Sequence, residues 1–432
     1  MGDNQGGASL RKAIKLRHAV ALYVTSVIGS GVLLLPGLAA IIAGPGSLLA
    51  WILLSVASFP FAFTFASLSS RRPESGGIYS FAKEAFGKRI ATVTGWLFAL
   101  WVITGAPAVS LIAASYLGYA FPLDRPETLL LSSLMLVTSF IINYNGIVVS
   151  NRVQLGAVVS IIALLIATVI ASAFYVRVSD FTPFLPNGLL PVGTAAALIF
   201  WSYLGYENVS NVAEEFEDPK RDFKRSIVLS ALVVSALYLS VSFVTIGTNA
   251  YRTGGNIAPF AVMLSHVVGA YGASGTAIIA VFIIFSTINA YTVGMSRVFY
   301  AVSKDGGFPR VLDHIHPRTK VPDRALIALF LPMIPTFVVY YFLNVNLETA
   351  LLVPSGAAIV VYVIGSAAGV RLTASKEEES GGRRIPFLPL ASLAISLIVL
   401  PFVGWPLLFS AVVCVAALFY SFTAMGKQES GN

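Results

Sequence analysis

Two places in this sequence free backbone groups that a ligand could use. The first is Gly29-Ser30-Gly31, inside "VIGSGVLLLPG" (27–37). The second is Gly205 with Glu207 and Asn208, inside "LIFWSYLGYENVSNVAEEF" (198–216). Each interrupts an apolar run, leaving N–H groups and carbonyls that persist in a membrane only beside a cavity or a partner. The N–H groups of Ser30 and Gly31 open the second half of a broken helix, where the helix dipole favours an anion. Glycine lets a ligand approach the backbone, and the Ser30 hydroxyl adds a donor, so a carboxylate fits. Carbonyls freed at the end of the first half and in the second interrupted run suit a cation such as an ammonium. A site presenting both suits a zwitterion. The alternative is packing, since small residues also let membrane helices approach closely.

The elements that must hold these groups are membrane helices. The 432 residues are 56% hydrophobic and 11% charged, with a mean hydropathy of +0.82, whereas soluble domains carry about a quarter charged residues. No cleavable signal peptide is visible. Cys414 stands alone among apolar neighbours, so no internal disulfide is expected. The net charge of +8 sits between apolar segments, as orientation signals do, which argues against nucleic acid.

A span needs about 20 apolar residues. Twelve segments qualify, near 14–43, 46–69, 90–121, 127–147, 153–175, 191–211, 226–249, 271–302, 325–343, 347–370, 387–403 and 405–424. With the N-terminus inside, 24 Lys and Arg fall in cytoplasmic stretches and 3 outside. Both termini are then cytoplasmic, in a multi-pass protein of the plasma membrane. The stretch "ESGGIYSFAKEAFGKR" (74–89) has helical spacing and reads as a membrane-surface helix or a solvated loop. "SKEEESGGRR" (375–384) reads as a flexible linker.

The interruptions lie about 175 positions apart, and long segments near 90 and 271 repeat that offset. The chain thus divides into a first five-helix repeat (1–175), a second (191–370) and two additional helices (386–424). Five is odd, so the second repeat is inverted. Glu207 is the one acid inside a segment away from its ends. Intramembrane carboxylates are functional candidates: it gates by hydrogen bonding, takes a proton, or is a structural acid satisfied by the broken helix. Arg297 reads as a snorkelling residue at a cytoplasmic helix end.

At this point the blocks are recognisable. "VIGSGVLLLPG", "FWSYLGYENVSNVAEEFEDPKRDFKRS", "SRVFYAVSKDGGFPRVLDHIHPRTKVP" and "RRPESGGIYSFAKEAFG" resemble the amino acid–polyamine–organocation (APC) superfamily, in its amino acid transporter branch. "TGWLF" and "EFEDPKRDFKR" look closest to bacterial exporters of methionine and branched-chain amino acids. The resemblance implies an all-α, polytopic protein of 12 transmembrane helices, with a LeuT-like 5+5 inverted repeat plus two helices. It implies alternating access for neutral, hydrophobic amino acids, by export or exchange. The alternatives are a proton- or sodium-coupled importer and a transporter of an amine or polyamine. It also implies that Ser30 and Gly31, after Gly29, hold the substrate carboxylate. The carbonyls of Val27, Trp201 and Leu204 would hold its ammonium. Trp201, Glu207 and Tyr291 would gate.

The chain departs from proton-coupled relatives in one respect. They carry a lysine in helix 5 where this chain has Ile161. Ser286 and Thr287 fall where relatives supply hydroxyls, so they either bind Na⁺ or pack helices, and Glu207 is the proton candidate. No cofactor is implied beyond Na⁺ or H⁺ as a coupling ion. For the substrate side chain, Trp101, Val102, Gly105, Ala106, Tyr203, Leu204, Asn289 and Tyr291 are candidates, and nothing among them pairs a cation. An enzyme would need clustered chemistry. Asp313, His314 and His316 come nearest, in a loop the resemblance already explains. A receptor would not need two breaks. The partners implied are an amino acid and the lipid bilayer, for a monomer or a homodimer.

Overall fold

The computed structural model describes residues 10–71, 73–121, 123–252, 259–343, 345, 347–379 and 386–425. Lys427 lies outside them, as does the second half of the expected linker 375–384. The part of that linker inside them continues a helix. Lys and Glu are good helix formers, and helix α15 runs on to Glu379.

Glycine and proline punctuate the apolar runs. Helix α1 (Leu16–Val27) stops at a break and α2 (Ser30–Ala43) follows. The buried turn Gly44-Pro45-Gly46 returns the chain into α3 (Ser47–Arg71). A short helix α4 (Ile78–Phe86) precedes the 33-residue α5 (Lys88–Ala120). Next come α6 (Arg125–Tyr144) and α7 (Ile147–Ala173). Asp124 caps α6, accepting the Glu127 N–H at 2.8 Å, while the Glu127 carboxylate reaches back to the Asp124 N–H.

The order then recurs. A broken helix, α8 (Leu190–Phe200) and α9 (Tyr206–Ser210), leads into α10 (Pro219–Gly247), the short α11 (Pro259–Val268) and the 33-residue α12 (Gly272–Lys304). Next are α13 (Asp323–Phe330) and α14 (Met333–Phe342), parted at Leu331-Pro332, and then α15 (Leu347–Glu379). Two shorter helices close the chain, α16 (Phe387–Val399) and α17 (Leu407–Tyr420).

Packing follows the same scheme twice. Long helices α5 and α12 pack on each other, as do α3 and α10. Broken α1–α2 lies against α10, and broken α8–α9 against α3. Helix α4 packs on α5 and α15, and α11 on α12 and α7. Eight stretches of the described residues are long and apolar enough to cross a membrane, the first spanning α2 and α3. The outer helices carry exposed apolar side chains that a soluble protein would bury, among them Leu130, Ile334 and Val412. A bilayer is the solvent that accepts them.

Arg297 corrects the sequence reading. It is 1% exposed and grips the buried Glu215 with two bonds, Nε to Oε1 at 2.6 Å and Nη2 to Oε2 at 3.1 Å. It does not snorkel, because the chain leaving α9 folds back and brings a carboxylate to it. The Glu215 carbonyl also accepts the Ala13 and Ile14 N–H groups, both at 2.9 Å. One residue therefore ties the segment before α1, the exit of α9 and α12 together. Removing one partner of such a pair leaves a buried charge uncompensated, at about 3–5 kcal/mol. Arg297→Met alone should lower the thermal midpoint of purified protein sharply, and Arg297→Met with Glu215→Leu should recover most of the loss. Equal midpoints for the single and double variants would contradict the pairing.

Candidate functional site

The two breaks face each other. At the first, Ile28 leaves helical geometry, and Gly29 (φ −109°, ψ −143°) caps α2, so the Ser30 and Gly31 amides open a new helix. At the second, α8 gives way to a tight turn at Trp201–Tyr203, extended Leu204 and Gly205 at φ +129°. Between them lies a chamber lined by Val27, Gly29, Gly31, Trp201, Ser202 and Leu204 from the breaks. Trp101, Val102, Gly105, Ala106 and Val109 of α5 and Thr287, Ile288 and Tyr291 of α12 close it. The expected residues Val27, Gly29, Gly31, Trp201, Leu204, Thr287 and Tyr291 are thus brought together. The Ser30 backbone begins α2 there, and its side chain lies outside what the structure describes.

The glycines of each break rest on the other break. A Cβ built on Gly31 would lie 2.9 Å from Ser202 Cβ and 3.1 Å from its Cα, and closer still to its hydroxyl. A Cβ on Gly205 would lie 2.8 Å from the Ser26 carbonyl oxygen. Close packing of broken α1–α2 on broken α8–α9 is therefore itself a reason for glycine at 31, alongside ligand approach.

The freed backbone groups have identifiable partners. Tyr238 of α10 directs its hydroxyl at the Val27 carbonyl, 2.8 Å, and the Ser202 carbonyl, 3.0 Å, so one side chain spans both breaks. Val27 O also accepts the Gly29 N–H at 2.9 Å, and Trp201 O accepts that of Leu204 at 3.4 Å. An ammonium at Val27 would take over the place of the Tyr238 contact. Thr287 Oγ1 lies 2.8 Å from the Thr25 carbonyl and 3.0 Å from that of Ile28, at the negative end of α1. Ser286 instead donates within its own helix, to Phe282 O at 2.7 Å. Gln154 of α7 joins this corner: its Oε1 accepts the Thr25 hydroxyl at 2.8 Å, and its Nε2 donates to Ser286 O at 3.4 Å. Asn208 Nδ2 donates to Ser26 Oγ at 2.9 Å and to Ala290 O at 2.8 Å.

Glu207 is fully buried and lies behind the chamber wall. Its carboxylate accepts the Gly205 N–H at 2.9 Å, the Tyr291 hydroxyl at 3.2 Å and the Tyr362 hydroxyl. Tyr291 lines the chamber and packs tilted against Trp101, with ring centroids 5.5 Å apart. Glu207 thus touches the chamber wall through Tyr291 and α15 through Tyr362.

Tyr203 and Asn289 were expected in the chamber and point elsewhere. Tyr203 Oη meets Ser55 Oγ at 2.7 Å, and Asn289 Oδ1 accepts from Asn143 at 2.8 Å. The geometry of the turn at Trp201–Tyr203 and the rotation of α12, neither of which the sequence pattern fixes, decide this. Tyr238, Tyr362, Gln154 and Ser202 escaped sequence reasoning. Three of them sit on uninterrupted helices with no local signal, and Ser202 was legible only as a neighbour of Trp201. In the loop after α12, His314 pairs with Asp323 at 2.6 Å rather than with Asp313.

The fold and chamber define a class: all-helical membrane proteins in which two broken helices enclose a buried small-molecule chamber. Within that class the chain belongs to the amino acid permease family, whose sequence model matches residues 14–430. It is 32% identical over 421 residues to the uncharacterized amino acid permease YecA of Bacillus subtilis, covering 97% of this chain and 98% of that one. It is 28% identical over 432 residues to the L-methionine/branched-chain amino acid exporter YjeH of Escherichia coli, covering 98% and 99%. It is also 28% identical over 383 residues to the branched-chain amino acid permease BcaP of Bacillus subtilis, covering 82% of each. These relatives are transporters, not enzymes.

The packed breaks make a direct prediction. Gly205→Ala places a Cβ on a carbonyl at a φ that side chains rarely adopt, and Gly31→Ala presses on Ser202. Both should reduce the monodisperse yield on size-exclusion chromatography. Gly156→Ala on α7, where nothing lies within 4 Å, should not. Equal yields for all three would contradict the packing account.

Proposed function

We propose that this chain is a secondary active transporter of neutral, hydrophobic amino acids in the plasma membrane, working by alternating access as an exporter or exchanger. The carrying observation is the chamber, with the N-terminus of α2 on one side, the C-terminus of α1 and the turn at 201–205 on the other, and apolar side chains between. The α-carboxylate binds the Ser30 and Gly31 amides after Gly29. The ammonium binds at the carbonyls of Val27, Trp201 and Leu204. The side chain lies against Val102, Gly105, Ala106 and Ile288. No lining side chain is charged, so a cationic or anionic side chain would go unpaired there. The relatives named for methionine and branched-chain amino acids agree with this choice.

In this reading Trp201 and Tyr291 gate the chamber, and Glu207 holds Tyr291 in place. The chain crosses the membrane twelve times with both ends cytoplasmic. Broken α1–α2, broken α8–α9, α16 and α17 complete the crossings that the longer helices begin. The recurring order and packing support two inverted repeats, 1–175 and 191–370, followed by helices at 386–424. For coupling, Na⁺ would lie at Thr25 O, Ile28 O and Thr287 Oγ1, with Ser286 adjacent, and a proton would go to Glu207.

Counterflow in sealed proteoliposomes against the twenty amino acids tests the function. Leucine, isoleucine, valine and methionine should exchange best, and lysine, arginine, aspartate and glutamate least. Preference for a charged amino acid would overturn the substrate reading. Uptake driven by a pH gradient without Na⁺, and by Na⁺ without a pH gradient, separates the two coupling sites. Loss of the first in Glu207→Gln, or of the second in Thr287→Val, assigns the ion. In a Cys414→Ser background, Arg177→Cys should react with an impermeant thiol reagent in intact cells and Lys320→Cys only after permeabilisation. The reverse pattern would invert the topology.

A further inference from the structure

Among the described residues, nothing uses the hydroxyl of Ser202. The residue is 2% exposed, and its Oγ has no hydrogen-bond partner among them. Leaving a buried polar group unpaired is unfavourable. Other hydroxyls of the chamber wall are engaged: Ser26 accepts from Asn208, Thr287 is directed at the α1 carbonyls, and Tyr291 donates to Glu207. The Ser202 backbone is held in place, because its carbonyl accepts from Tyr238 at 3.0 Å. Its Oγ lies against Gly31 in the first turn of α2, so close that a Cβ at position 31 would overlap it. That turn is where the free N–H groups and the positive end of the helix dipole lie. A fixed, unspent donor therefore stands beside an anion-favouring helix end inside a cavity.

We propose that Ser202 Oγ is a direct ligand of the substrate carboxylate, donating a hydrogen bond beside those of the Ser30 and Gly31 amides. This rests on the reading of the chamber as an amino acid site. The hydroxyl has no partner among the described residues and gains one when a carboxylate binds. Because a hydrogen bond to a charged acceptor is roughly twice as strong as one to a neutral acceptor, Ser202 selects for a free carboxylate over an amide. The same closeness ties residue 31 to residue 202, since glycine at 31 leaves the room that the hydroxyl occupies.

The test is binding of L-leucine and of L-leucinamide to purified protein, by calorimetry, in wild type, Ser202→Ala and Ser202→Gly. Wild type should bind L-leucine. Ser202→Ala should weaken L-leucine by about tenfold, the size of one charge-assisted bond, and L-leucinamide much less. Ligand-free Ser202→Ala should keep or raise its thermal midpoint, because the group removed has no partner. Ser202→Gly repeats the measurement if alanine disturbs packing. Unchanged L-leucine affinity, or an equal loss for both ligands, overturns the role of Ser202 while the chamber reading stands. Failure of wild type to bind L-leucine overturns both.

Discussion

A helix that stops inside a bilayer exposes backbone groups that have no water to turn to, and this chain does so twice. Most of the site is the answer to that constraint. The carbonyls at the end of α1 are met by Thr287 and Tyr238, the turn at 201–205 by Tyr238, and the amide of Gly205 by Glu207. Each partner comes from a different helix: Thr287 from α12, Tyr238 from α10, Glu207 from α9. The breaks therefore fix how the inner helices pack. The groups left over at the start of α2 are free for a ligand. The candidate site in this fold is what remains after the protein has satisfied nearly all of its own interrupted backbone.

Among the described residues two carboxylates are fully buried, Glu207 and Glu215, and their surroundings differ. Glu215 meets a guanidinium with two bonds, and its carbonyl receives two amides from the segment before α1. Glu207 meets only neutral donors, two tyrosine hydroxyls and one amide. An ion pair holds its geometry unless both partners are separated, which suits a tie between segments. A carboxylate on hydroxyls can exchange its partners or bind a proton with fewer rearrangements, which suits a group that must respond when the chamber fills. The two sites lie eight residues apart on one connection, so movement of α9 reaches both.

Much of this was legible in the sequence. Gly29-Ser30-Gly31 and Gly205 were legible as breaks because each stands beside polar residues in an apolar run, at positions about 175 apart. The stretch 74–89 reads as amphipathic, and it contains α4, whose Phe81 and Ala85 are buried while Glu84 is exposed. Legibility ended where a residue's role depends on a neighbour distant in sequence. Arg297 reads as a helix-end cation until Glu215 is placed beside it. Tyr203 sits in the turn between α8 and α9, and α12 scatters polar residues such as Ser286, Asn289, Thr292 and Arg297 along its length, so no periodicity reports which way either side chain turns. Tyr238 and Gln154 matter only through the ends of α1, and nothing near them in the sequence says so.

The central claim is that the broken helix presents its amides to a substrate carboxylate. Solid-state NMR on protein in liposomes tests it directly, using L-leucine labelled with ¹³C at the carboxyl and protein labelled with ¹⁵N at glycine. A dipolar contact from the carboxyl carbon to the Gly31 amide, at about 4 Å as a hydrogen bond requires, is expected, and it should vanish when excess unlabelled L-leucine is added. Specific binding of labelled leucine with no contact to Gly31 would contradict the account.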